Sequence, residues 1–125
     1  MPPRLILIVG AIILLPAQAA EGTKENRRYM AKPLMGDYYV YGGSSGDSTP
    51  PTSNDRKVSF MLTGPLAKEL FDHIGRDSKV ECKPSPDYRE RRRSDLTCTW
   101  TKAYGHSCYF GMDGQTGKSL DDYDC

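Results

Sequence analysis

"KVSFMLTGPLAKELFDHIG", residues 57–75, decides the fold. Its first part alternates: Val58, Phe60 and Leu62 fall on one side of an extended chain, and Ser59, Met61 and Thr63 on the other. That period of two predicts a strand with one apolar face. The period then lengthens. Leu66, Ala67, Leu70, Phe71 and Ile74 share one helical face, while Lys68, Glu69, Asp72 and His73 share the other. Pro65 suits the first helical position, where its missing N–H costs nothing. Gly75 suits the residue beyond the last turn, where a positive φ is wanted. A strand running directly into a short amphipathic helix predicts a helix laid on a sheet.

The residues that follow supply the rest of that sheet. Residues 76–87 read as loop, with a brief extended piece around Val80. "YRERRRSDLTCTW", residues 88–100, predicts a hairpin turning near Arg93, Ser94 and Asp95. In its second arm Leu96, Cys98 and Trp100 share a face opposite Thr97, Thr99 and Thr101. "KAYG" turns the chain again, and "HSCYFGM" places Cys108, Phe110 and Met112 on one face of a further strand. The expected class is α+β: a small disulfide-stapled domain, strand and helix followed by an antiparallel β-meander, with the helix packed on one sheet face.

Upstream the signals weaken. Residues 20–37 are polar and mixed, and Tyr38 to Tyr41 fit a short strand or an aromatic clamp. "GGSSGDSTPPTSNDR", residues 42–56, holds almost nothing to bury and reads as a flexible linker. The expected division is a leader over residues 1–19, a largely flexible segment over 20–56 and a domain over 57–125.

The leader expectation rests on the first residues. Arg4 is followed by an apolar run from Leu5 to Leu15, then Pro16 and the A-x-A site Ala17-Gln18-Ala19. That is the pattern of a secretory signal peptide. The run is shorter than the roughly 20 residues a membrane span needs, so no stable membrane insertion is expected after cleavage. A periplasmic or secreted location follows, with the bacterial envelope favoured. The whole chain has 17 Lys and Arg against 16 Asp and Glu, so losing Arg4 leaves a formally neutral protein. Neutrality supplies no global attraction for nucleic acid, and none is expected as a partner.

Four cysteines, Cys82, Cys98, Cys108 and Cys125, lie in the second half. An even count in a small exported chain predicts two disulfides. No two are close enough for the paired spacing of a zinc site. The favoured pairs are 82–98, tying the segment after the helix to a strand, and 108–125, tying the C-terminus to the sheet. Cys98 with Cys108 across a hairpin is the rival.

The motifs that carry chemistry are sparse. "GGSSG" matches G-x-S-x-G at Ser44, but "DSTPPTSN" supplies no helix after it. "GMDGQTGKSL" ends in Gly117-Lys118-Ser119, yet the first glycine of a phosphate loop belongs at position 112, where Met112 stands. No nucleotide and no cofactor is expected; that stretch reads as turn chemistry after a strand. His73 and His106 belong to no H-E-x-x-H motif, and "DDYDC" lacks the glycine and distant glutamate of a calcium loop, so no metal is expected. The densest charge run is Arg89, Arg91, Arg92 and Arg93 around Glu90. It suits a charged edge strand. The alternative is a contact for an acidic partner, with Tyr88 and Tyr104 adding rigid area.

The plan of leader, small β-rich domain and disulfides is similar to that of periplasmic lysozyme inhibitors. Their S-G-x-x-Y signature is missing, because Ser45-Gly46 is followed by Asp47, Ser48 and Thr49. The expectation is a non-enzymatic binding protein with a protein partner, of the inhibitor or immunity type. The alternatives are a small envelope hydrolase using His73, His106 or Asp113, and a passive structural or stress protein.

Overall fold

The computed structural model describes residues 2–3, 10–13, 30–79 and 82–123. Most of the leader, and Cys125, lie outside them. The compact unit spans Pro33–Cys125. Its strands are β1 (Gly36–Ser44), β2 (Asp47–Thr49), β3 (Lys57–Thr63), β4 (Tyr88–Arg93), β5 (Leu96–Thr101), β6 (Gly105–Asp113) and β7 (Ser119–Leu120), with one helix, α1 (Gly64–His73), after β3. The strands form one antiparallel sheet in the order β2-β1-β3-β6-β5-β4, with β7 paired to the far end of β6. The α+β class, and the helix on one sheet face, are as the residues 57–75 require.

Helix α1 lies against β3, β6 and β5. Ala67 and Phe71 are buried on Leu62, Cys98 and Cys108, and Leu70, Ile74, Leu96, Trp100 and Phe110 close around them. Leu66, assigned to the same helical face, stays exposed. Ile74 caps the helix through its N–H to the Leu70 carbonyl, and Gly75 follows at φ +133°. The alternation of β3 holds as well. Phe60 faces Phe110 across the β3–β6 pair and stacks on it, ring centroids 4.7 Å apart.

Two expectations are corrected. The first is the domain boundary, which moves from Lys57 to Pro33. β1 pairs with β3 from Gly36 opposite Leu62 to Tyr41 opposite Lys57, so it belongs to the sheet. The 42–56 stretch is not a free linker. It makes the β1–β2 hairpin, and its polar groups are matched: the Gly43 N–H donates to Asp55 at 2.8 Å, and Lys57 bonds both Asp55 and the Gly43 carbonyl. Glycine is required there by geometry, since Gly43 has φ +73°. Polar composition signalled flexibility, but the matched partners order it.

The second correction is the disulfide pairing. Cys98 is bonded to Cys108, not to Cys82, and Cys108 is not bonded to Cys125. The β5–β6 register places Cys98 directly opposite Cys108, with Cα atoms 4.0 Å apart. Facing residues on neighbouring strands are the nearest pair available, and both side chains point into the helix-side core. Cys82 is disulfide-bonded too, with its partner outside the described residues.

Candidate functional site

Strand alternation splits the arginine run. Arg89, Arg91 and Arg93 point to the helix side, and Tyr88, Glu90 and Arg92 to the other. Arg89 and Arg91 converge on Asp77: Arg89 Nε reaches it at 2.8 Å and Arg91 Nε at 2.8 Å. Their guanidiniums hold the Asp77 carboxyl below the ordinary range. Arg91 also donates to the Phe71 carbonyl at 2.7 Å and lies 4.2 Å from the Phe71 ring centre. These two arginines roof the open end of the core and fasten the loop after α1.

On the opposite face Glu90 is fully buried. It accepts from Tyr88 Oη at 2.7 Å and from Arg92 Nε at 2.8 Å. Burial pushes its carboxyl up, but the bonds from Arg92 and Tyr88 outweigh it and hold the group below the ordinary range. Tyr88 is therefore an interior residue, not a contact residue. Tyr104 is 89% exposed in the turn after β5, while Arg93 is exposed at the end of β4, by the β4–β5 turn at the opposite end of the hairpin. The six residues grouped from the sequence do not make one patch.

The groups named for catalysis are also dispersed. His73 Nδ1 sits 2.7 Å from the Glu69 carbonyl at the exposed end of α1. His106, in β6, meets the edge of Phe71 at 5.0 Å between ring centres, and burial lowers its pKa. Asp113 accepts the N–H groups of Gln115 and Thr116, which hold its carboxyl below the ordinary range. That is turn chemistry: the Gly117 N–H closes on the Asp113 carbonyl at 2.8 Å, and the chain reverses into β7. Among the described residues no three His, Cys, Asp or Glu side chains gather as a metal site would need.

What the structure does assemble lies on the second sheet face. After β7 the chain turns across that face. Asp122 settles over Gly111, where an added Cβ would lie 2.8 Å from Asp122 Cβ. Tyr41 Oη, from β1, donates to Asp122 Oδ1 at 2.5 Å. Tyr123 extends the other way: its ring lies 4.8 Å from Tyr109, its hydroxyl is 2.9 Å from Tyr88 Oη, and Arg92 covers it at 5.3 Å. Residues 122 and 123 thus tie β1 to β4 over the top of the sheet.

Beside this crossing lies a cleft of about 320 Å³ lined by Asp37, Tyr39, Ser45, Ser59, Met61, Tyr109, Asp122 and Tyr123. Asp122 is only 7% exposed. Its Oδ2 is buried without a hydrogen-bond partner among the described residues. Burial raises the Asp122 carboxyl above its ordinary range; the Tyr41 bond opposes this and Asp121 adds to it. Sequence reading missed this site. "DDYDC" was legible as an acidic tail, but nothing in its spacing says that Asp122 folds back over Gly111 in β6 to meet Tyr41 on β1, two strands away.

No family model, curated protein or solved structure matches the chain. Among the described residues no helix is long and apolar enough to cross a membrane.

Proposed function

We propose that this chain is an exported, non-enzymatic binding protein whose contact site is the Asp122 cleft, acting as an inhibitor or immunity-type partner of an envelope-acting enzyme. The observation that carries the reading is Asp122, a residue of the cleft wall whose buried Oδ2 has no hydrogen-bond partner among the described residues. A buried acceptor without a donor costs about 1–3 kcal/mol, so such a group calls for an explanation, and a donor brought by a bound partner is the one this reading adopts. The disulfide between β5 and β6 supports an oxidising compartment and stiffens the sheet beneath the site. The two candidate catalytic histidines and Asp113 each carry a structural contact, His73 at the end of α1 and His106 and Asp113 at opposite ends of β6, which favours binding over hydrolysis.

The experiment is capture from an envelope extract, followed by calorimetry with the purified captured protein. One-to-one binding that inhibits the partner's activity is the expected result. Turnover of peptidoglycan or a simple ester by the chain alone, abolished by His106→Ala, would overturn the reading in favour of a hydrolase.

A further inference from the structure

We infer that the Asp122 cleft is a site for an organic cation: an ammonium or guanidinium group on an apolar stem, presented by a basic side chain of a partner or by a free amine. The inference rests on the binding reading above and names the chemistry its site takes.

Three independent features converge. The first is charge. Two carboxylates, Asp37 and Asp122, line the cleft, and no lysine or arginine does. Two cations that lie over neighbouring tyrosines, Lys57 on Tyr41 and Arg92 on Tyr123, are engaged: Lys57 with Asp55 and the Gly43 carbonyl, Arg92 with Glu90. The second is the wall. Tyr39, Tyr109 and Tyr123 present aromatic rings, whose faces attract cations. The protein already uses that attraction nearby, in Arg92 over Tyr123 and Arg91 over Phe71. The third is the missing donor. Asp122 Oδ1 is committed to Tyr41, and Oδ2 has nothing among the described residues. An N–H from an incoming cation completes it.

Other ligand classes fit less well. An anion meets two carboxylates. A neutral hydroxyl satisfies Oδ2 but gains nothing from Asp37 or from the ring faces. The volume, near the lower end of the roughly 300–1,000 Å³ of ligand sites, suits one side-chain-sized head group. Burial that disfavours the bare carboxylate on Asp122 is relieved when a cation arrives.

The test titrates the full chain with agmatine, n-butylamine, an end-blocked Gly-Arg-Gly peptide and the same peptide carrying citrulline, followed by amide NMR. Saturable shifts are expected at Asp37, Tyr39, Ser59, Tyr109 and Tyr123 for the three cations. Citrulline should bind at least about 10-fold more weakly, the loss expected for a charge-assisted hydrogen bond. Asp122→Asn should weaken the arginine peptide by about as much. Tighter binding of the peptide than of agmatine assigns the site to a partner's side chain, and the reverse assigns it to a free amine. Equal binding of the citrulline peptide, no saturation by any cation, or an unaffected Asp122→Asn overturns the inference. Asp37→Asn, at an exposed position, guards against a folding defect and should cost about 3-fold; no loss there counts against the inference as well. A protein partner that binds while every cation fails removes the cleft's assignment and leaves the binding reading standing.

Discussion

Replacing Gly111 by alanine tests whether the C-terminal crossing is packed as described. Gly111 sits in β6 with ordinary backbone angles, so the substitution adds only a methyl group. That methyl would meet Asp122 Cβ at 2.8 Å, Asp122 Cγ at 3.2 Å and Leu120 Cβ at 3.3 Å. Carbon atoms in contact prefer about 3.5–4.0 Å, so residues 120–122 must move outward. Overpacking of this kind costs about 1–3 kcal/mol, and displacement also loosens the Tyr41–Asp122 bond, worth about another 1 kcal/mol. A loss of about 2 kcal/mol lowers Tm by roughly 8–16 °C in a domain of this size. Thermal unfolding followed by near-ultraviolet circular dichroism reads both the Tm and the tyrosine environment. In an Asp122→Gly background the methyl meets open space where Asp122 Cβ was, and the cost should fall by at least half. An equal cost in both backgrounds, within about 0.5 kcal/mol, would refute the packing of Asp122 on Gly111.

Non-reducing digestion should yield a cross-linked peptide joining Cys98 and Cys108, and replacing that pair by alanine should cost about 2–3 kcal/mol for a loop this short; a fragment joining Cys98 to Cys82 contradicts the register of β5 and β6. Arg91→Ala should destabilise by about 2–3 kcal/mol in urea unfolding, because it uncovers Phe71 and removes charged hydrogen bonds, whereas Arg93→Ala, at an exposed position, should change stability by less than about 0.5 kcal/mol. The Glu90 carboxyl titrates below its ordinary 4.5 in the fold, so its stabilisation is present above that pH and lost as pH falls through the lower folded value; Glu90→Gln should flatten that acid limb. Asp122 has the opposite sign. Its folded pKa lies above 3.8, so stability falls as pH rises from 3.8 through the folded value. Asp122→Asn should therefore be more stable than the parent at pH 7 and converge with it in acid.

The strand and helix of residues 57–75 were legible because each has one apolar face and a clear period. The β4–β5 hairpin was legible for a similar reason, with Ser94 and Asp95 as its turn. β1 was not. Tyr38 and Tyr39 remain exposed, Val40 is half buried, and within β1 only Tyr41 and Gly42 are buried, so its place in the sheet comes from pairing with β3 more than from an apolar face with a readable period. The cysteine pairing depended on the register of two strands, which composition does not encode. Thr97 and Thr99 read as an outward polar face, yet they are buried at 1% and 4% exposure on the second face of the sheet. The site itself was hidden for the same reason. It joins Tyr41 to Asp122 across 81 positions, and only the fold brings them together.

The most direct measurement is the titration of the Asp122 side-chain carboxyl by carbon-13 NMR in the full chain, alone and with saturating agmatine. The groups around it are Tyr41, Asp121 and, across the cleft, Asp37 and Tyr123; none of these is a cation. The account predicts a midpoint above 3.8 in the free protein that moves down when the cation binds. A midpoint at the ordinary aspartate value, unmoved by agmatine, would contradict it.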